Sequence, residues 1–451
     1  MRDVDVVVVG AGPVGCVAAL AHARRGARVV LVEAQPARKN RFAGELLHPP
    51  AVAALARVGI EPLKCAVAHG PNRGFAVYPE GRDDILLHHP GPTGATMEFN
   101  HLVTELREAA LAHDLVTWLP GWRATALVGN RLEGLDADGA ADEVRAGRIV
   151  AADGRFSVVR KALGLPDDRT PLSNMAGLLL RGVTLPHEGF GHVVLGGEGP
   201  VLIYRIAEDA VRVCIDVPLA WKKAGDRERR IWRSLEGRMP AEVSEAIRTE
   251  LEAGRVLWAV NELRPRLHYH QGPVALVGDA VGHFHPMTGI GMTLGFGDAV
   301  ALADHADLSA WARERHHATL SPGLLATALY EIFAVRSEPT EACREAVYRL
   351  WDGDEALRQR TMAILSCQEP GLARLLSVGF RMVGRAAVDV TWRNASSRTW
   401  GQGAEAVGRL AGLVHWLLAE SVPPSMRILP APSVTPFERV RVGRLPAADA
   451  A

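Results

Sequence analysis

The sequence predicts an α/β fold in three parts: a parallel sheet wound with helices, an antiparallel sheet inserted into it, and a helical C-terminal region. Three observations carry this reading. A β-branched run, VDVVVV at 4–9, leads through GAGPVG into CVAALAHARRG, whose apolar residues recur at helical spacing. In the middle of the chain, VRVCIDV (211–217) alternates apolar and polar residues, the pattern of an antiparallel strand. From about 305 to 425 the apolar pattern is helical almost throughout.

The elements follow in order. A continuous apolar strand such as 4–9 is buried on both faces, as in a parallel sheet. ARVVLVEA then reads as a second strand ending at Glu33, which completes a βαβ unit. GFAVYPE and DDILLHH (74–89) read as a strand pair. VLIYRI (201–206) and VRVCIDV are separated by AEDA and read as a half-buried hairpin. The Pro-rich tail, PPSMRILPAPSVTP, reads as extended or loose. The expected organisation is a discontinuous nucleotide-binding domain (1–70, 98–165 and 265–305), a substrate-binding sheet domain (71–97 and 166–264) and a helical region (306–451).

Composition excludes several functions. Lys plus Arg is 51 and Asp plus Glu is 51 in 451 residues, so the basic excess of a nucleic-acid binder is missing. The five cysteines (Cys16, Cys65, Cys214, Cys343 and Cys367) are dispersed, odd in number and form no CxxC. They read as reduced thiols of a cytoplasmic protein. VDVVVVGAG is too short for a signal-peptide core or a membrane span. Two apolar stretches, 371–390 and 406–422, read either as helices packed on the nucleotide-binding domain or as interfacial helices at a membrane.

Three glycine-rich signals carry the chemistry. In GAGPVG, Gly10 permits the tight turn, Gly12 lets backbone approach a pyrophosphate, and Gly15 lets the helix pack closely on the sheet. The helix N-terminus offers free N–H groups to the phosphates. Glu33, 23 residues after Gly10, is placed to accept hydrogen bonds from adenosine ribose hydroxyls. The second signal is Asp153-Gly154 in GRIVAADGRFSVVRKALG, and the third is Gly278-Asp279 in VALVGDAVGHFHPMTGIGMTLGFGDAVAL. Within the last, His283 and His285 lack a third ligand at suitable spacing, so a metal site is not expected. Ser157, near Asp153, has nothing to make it a nucleophile and reads as a cap or packing residue.

The order GxGxxG, DG, GD resembles the class A flavoprotein monooxygenases, with the p-hydroxybenzoate hydroxylase fold. Within them it is similar to the squalene monooxygenases: RFAGELLHP (41–49) resembles RIVGELLQP, ADGRFSVVRK (152–161) resembles ADGLFSKFRK, and HPMTGIGMT (285–293) resembles HPLTGGGMT. The resemblance covers about residues 1–165 and 270–305. It implies a Rossmann-like domain holding FAD without a covalent link. The contacts it implies come from Gly10, Ala11, Gly12, Pro13, Val14, Gly15, Glu33, Ala34, Arg41, His101, Val116, Asp153, Gly278, Asp279, Pro286, Gly289, Ile290, Gly291 and Met292. Asp279 would bind the ribityl hydroxyls, and Pro286 would stand beside the isoalloxazine. Three positions depart from the family: His101 stands where relatives carry arginine, and Gly282 and Thr293 stand where the aromatic hydroxylases carry histidine and asparagine.

The resemblance further implies that a flavin C4a-hydroperoxide does the oxidation, so no catalytic side chain is required. His285 is expected to pack against the flavin or line the cavity. The implied activity is epoxidation or hydroxylation of a largely apolar molecule, such as an isoprenoid, quinoline, polycyclic or polyketide-like compound, with O₂. Electrons would come from NAD(P)H, directly or through a separate reductase. Val201, Ile203, Tyr204, Val213 and Ile215 are candidate substrate walls against a plain-core reading, and Arg205 and Arg212 are candidate anchors for an acidic group. A flavin-dependent halogenase, a geranylgeranyl-reductase-like alkene reductase and a non-catalytic flavin protein are the rival readings.

Overall fold

The computed structural model describes residues 2–37, 44–63, 69–223, 225–397 and 400–420. Arg41, Cys65 and the Pro-rich tail lie outside the described residues.

The first sheet runs in the order His270–Gln271, Val274–Leu276, Ala141–Ala151, Arg2–Val9, Val29–Glu33, Val116–Pro120. Along this path the neighbours are parallel except the edge pair His270–Gln271 with Val274–Leu276, and two further strands, Arg131–Leu135 and Arg123–Val128, extend the sheet antiparallel from Ala141–Ala151. Val6 to Val9 are buried, as an apolar run with both faces covered requires. The helices Pro13–Ala23 and Gly291–Asp304 pack side by side on this sheet. Their closeness depends on Gly295, where a Cβ would lie 2.6 Å from Val14 Cγ2.

The second sheet has seven strands, in the order Leu257–Leu263, Thr170–Arg181, Ala210–Val217, Val201–Ala207, Gly191–Val194, Gly74–Tyr78, Ile85–His88. The expected hairpin is present, with Ile203 opposite Val213. It is not half exposed, however, because every residue of Ala210–Val217 is buried. The helices Arg227–Leu235 and Ala241–Glu252 cover one face through Ile231, Leu235, Val243 and Ile247. The C-terminal helices and Met287 cover the other. The face of Arg212, Cys214 and Asp216, which alternation leaves to solvent, is the one that the C-terminal helices and the glycine turn cover, and this second cover is not visible from the alternation alone.

The C-terminal region is helical, as expected: Leu308–Ala334, Glu338–Gly353, Glu355–Leu365, Leu372–Ser397 and Trp400–Glu420. Leu375, Met382, Ala386, Val390, Leu410 and Leu413 of the last two helices join the same core as the second sheet. Among the described residues, no single helix is long and apolar enough to cross a membrane. No disulfide joins the described cysteines; burial pushes the Cys214, Cys343 and Cys367 thiols up to about 12, consistent with inert reduced groups.

Candidate flavin and substrate site

The site begins where the parallel strands end. Gly10 has φ +99°, and a Cβ there would lie 2.7 Å from Ala152 O. At Gly15 a Cβ would lie 1.8 Å from Gly10 O. Both positions exclude side chains, by conformation at the first and by close approach at the second. Gly12 is the N-cap of the helix Pro13–Ala23, with Pro13 in its first turn, so the amides at this end point outward from the loop. Glu33 caps the arrangement: Oε2 accepts from Ala11 N at 2.9 Å and Oε1 from Gln35 N at 2.8 Å. Ala34 beside it is exposed.

The third glycine segment faces this cradle. Gly278 (φ +62°) opens the turn, and Val14 packs against both Gly278 and Gly295. The turn is braced from below by a buried ion network. Asp298, with no exposed surface, pairs with Arg266 and, at 3.0 Å, with Arg315. It also accepts from Gly278 N at 3.0 Å. Arg266 donates to Gly278 O at 3.2 Å and Gly282 O at 2.9 Å. Asp298 lies inside the third glycine motif, but its partners are remote in sequence, so sequence reasoning misses its bracing role. Asp279 keeps 42% of its side chain exposed, and the nearest cation is Arg155 at 3.9 Å. Its oxygens therefore remain available to a polyol.

Pro286–Thr288 forms a single 3₁₀ turn with Pro286 exposed and Gly289 left-handed at φ +67°. Gly291 begins the next helix, and a Cβ there would meet no protein atom within 4 Å. Of these two glycines only Gly289 has left-handed backbone. Ile290 is buried, and Met292 packs on Gly44, whose Cβ would lie 3.2 Å from Met292 Cε. Gly282 has a physical reason: a Cβ would sit 2.6 Å from Arg264 O, so the histidine of the aromatic hydroxylases does not fit here.

The DG segment ties the two halves. Asp153 Oδ2 accepts from Val159 N at 3.1 Å, and burial pushes this carboxyl above its usual range. Ser157 caps the short helix Val158–Ala162, accepting from Arg160 N at 2.9 Å, which is the capping role read from sequence. Arg160 reaches Val281 O at 3.3 Å and Ala280 O at 3.4 Å.

Several expectations need correction. Val116 pairs with Val29 at the start of its strand, whereas the residue level with Glu33 is Pro120. Four residues of strand separate Val116 from the loop end of the sheet, roughly 13 Å. His101 stands exposed on the first turn of the helix Phe99–Leu111. The cation that this helix sends to the glycine loop is Arg107, which donates to Pro36 O at 2.9 Å and Ala11 O at 3.3 Å. Val213 and Ile215, with Val201 and Ile203, face the helices Arg227–Leu235 and Ala241–Glu252 and form plain core. Tyr204 is on the other face, in the cluster that contains Met287. Arg212 is not a free anchor: it is buried and forms a bidentate pair with Glu45, at 2.8 and 2.9 Å. Arg205 is held by Glu188. No group of three or more metal-ligating side chains occurs among the described residues.

His285 is buried and fully engaged. Its Nδ1 accepts from Met287 N at 3.2 Å, its Nε2 lies 2.9 Å from Asp216 Oδ1, and its ring stacks on Tyr330 at 4.0 Å. His283 pairs with Arg264 through backbone, and burial lowers its imidazole to about 4.

These parts define a dinucleotide cradle of the kind that holds FAD: a glycine turn, a carboxylate at the second strand, a half-exposed aspartate and a glycine-lined helix start. The family model described as FAD binding domain matches residues 3–321, and the chain belongs to this family. It is 31% identical over 379 residues to squalene epoxidase erg1 of Aspergillus fumigatus, covering 76% of this chain and 78% of that one. It is 30% identical over 406 residues to 6-methylpretetramide 4-monooxygenase of Streptomyces rimosus, covering 79% and 94%. Among solved structures, p-nitrophenol 4-monooxygenase of Pseudomonas putida shares the fold, with TM-score 0.67, 19% identity and coverage of 81% and 99%. The chain is an FAD-dependent monooxygenase, similar to the squalene epoxidases.

Proposed function

We propose that the enzyme epoxidises or hydroxylates a largely apolar small molecule, with O₂ and with electrons from NAD(P)H, taken directly or through a separate reductase. The observation that carries this reading is the character of the second sheet where it meets the glycine turn. Met175, Leu202, Tyr204, Ile206 and Cys214 share one apolar cluster with Met287, Leu324 and Leu325. The two arginines of the hairpin are spent on Glu45 and Glu188, so this sheet presents neither to an acidic substrate. The relatives named for squalene and for 6-methylpretetramide support the same class.

The protein's part is to bind, orient and keep water out. Glu33 would hold the ribose and Asp279 the ribityl chain. The helix that begins at Gly291 would direct its first amides at the ring edge, where they favour negative charge. His285 does not serve as a base, because both of its nitrogens are already hydrogen-bonded. FAD, once reduced, supplies the electrons that activate O₂. The reading extends to peripheral membrane contact of a cytoplasmic enzyme: the helix Leu372–Ser397 exposes Phe380, Val388 and Trp392, and Arg381 and Arg385 lie along the same helix.

The test is turnover under ¹⁸O₂ with apolar polyenes and polycycles. One labelled atom per product and NAD(P)H consumption stimulated by substrate are expected. Label from water, or anaerobic turnover, would favour a hydrolytic or alkene-reducing enzyme instead.

A further inference from the structure

Asp216 belongs to no cofactor motif, yet three donors converge on one of its oxygens. Asp216 Oδ1 accepts from Ser173 Oγ, from Asn261 Nδ2 at 3.0 Å and from His285 Nε2 at 2.9 Å. Asn261 Nδ2 also reaches Ser173 Oγ at 3.0 Å. The three sheet residues come from adjacent strands, with Ser173 paired to Asn261 and Met175 paired to Asp216. All four side chains are buried. His285 alone belongs to the glycine turn.

The tautomer follows from the bonds. An Nδ1 that accepts the Met287 amide carries no proton, so the proton is on Nε2 and is donated to Asp216. The same Nδ1 bond closes the Pro286–Thr288 turn. Buried hydrogen bonds to an ionised partner are short and directional, which suits a fixed hinge between two layers.

We infer that Asp216 is a positioning residue: through His285 it fastens the Pro286–Gly289 turn to the substrate sheet and so sets where that turn meets the flavin. This rests on the assignment of the turn to FAD. The remaining contacts of the turn agree with a fastened element. His48 Nε2 lies 2.8 Å from Thr288 O, and the Tyr330 ring backs the imidazole.

The test is a flavin titration, followed by fluorescence and by the visible spectrum, on the apoprotein of Asp216→Ala, Asp216→Asn and His285→Asn. Asp216→Ala removes the shared acceptor and should weaken FAD binding about tenfold and shift the bound-flavin bands. Asp216→Asn keeps an acceptor oxygen and should recover most of the affinity and the wild-type spectrum. His285→Asn keeps an acceptor for the Met287 amide but is too short to reach the sheet, and should behave like Asp216→Ala. It decides the matter if Asp216→Ala does not fold. Affinity within twofold of wild type and an unchanged spectrum in a folded Asp216→Ala, or in His285→Asn, would overturn the inference. The flavin assignment itself is tested apart from this, by Gly291→Val: if that variant loses FAD while the Asp216 and His285 variants do not, only the positioning role fails.

Discussion

The glycine cradle and the antiparallel sheet solve opposite problems. The cradle at 10–15 and 278–291 is built from backbone; what matters there is the side chains that are missing, because a large flat cofactor must touch amides. The second sheet is built from side chains, and its charges are satisfied internally by partners far away in the chain. Glu45 and Arg212 lie 167 residues apart, and Asp216 and His285 lie 69 apart. Shape by deletion leaves a local record in sequence. Satisfaction by long-range pairing leaves almost none.

The sharpest break of this contrast is in the cradle. Gly15→Val would force a Cβ into a carbonyl oxygen 1.8 Å away, with no flexible group to give way. A loss of about 5 kcal/mol or more is expected, seen as insoluble or flavin-free protein. In the sheet, Arg212→Met should cost about 3–5 kcal/mol in chemical denaturation, because Glu45 is left buried without its partner. Glu45→Leu in the same chain should return much of that, since an apolar pair can replace a buried ion pair. No recovery in the double variant would show that Glu45 has a further role in the site.

Two carboxylates of the cradle should separate. Glu33→Ala and Asp279→Ala each lose charge-assisted hydrogen bonds to hydroxyls, about 1.5–3 kcal/mol, so FAD affinity should fall about tenfold or more. Glu33 also accepts two backbone amides, so its loss should lower the melting temperature of the apoprotein, whereas loss of half-exposed Asp279 should not. Equal apoprotein stability in the two variants would contradict the loop-bracing role of Glu33.

A smaller effect concerns pH. Burial lowers His48 to about 4 from an ordinary 6.5, and His22, His89, His192 and His283 shift the same way. A folded-state value below the unfolded one means that the unfolded chain binds more protons. The stability these groups contribute is therefore complete above about pH 6.5 and is lost as pH falls toward 4 for His48, His192 and His283 and toward 3 for His22 and His89. His48→Gln should flatten the stability profile in that window by up to about 1.4 kcal/mol per pH unit. An unchanged slope would mean that His48 titrates normally.

How much was legible follows the same division. The βαβ unit, the hairpin and the glycine motifs rest on local spacing, and each appears where the sequence places it. Val116 failed because a strand has two ends, and only pairing with Val29 shows that Val116 is at the far one. For Val213 and Ile215 the plain-core alternative holds: alternation gives two faces without saying which is turned to the cofactor, and the helices Arg227–Leu235 and Ala241–Glu252 decide that. Arg107 carried a readable signal. It lies six residues beyond His101, about 240° around the helix, so the two cannot share a face. Asp216 carried none, since a lone aspartate in an alternating strand reads as a solvent-facing residue.

The central claim is that the turn ending at Gly291 meets the flavin. A methyl group added at Gly291 would find no protein atom within 4 Å, and Gly291 is the first residue of its helix. A valine there should leave the apoprotein as stable as wild type, within about 0.5 kcal/mol. The decisive measurement is FAD content and apoprotein melting temperature of Gly291→Val, taken on the same preparation. The account predicts flavin lost or displaced with the melting temperature unchanged; full flavin content with unperturbed absorption bands would contradict it.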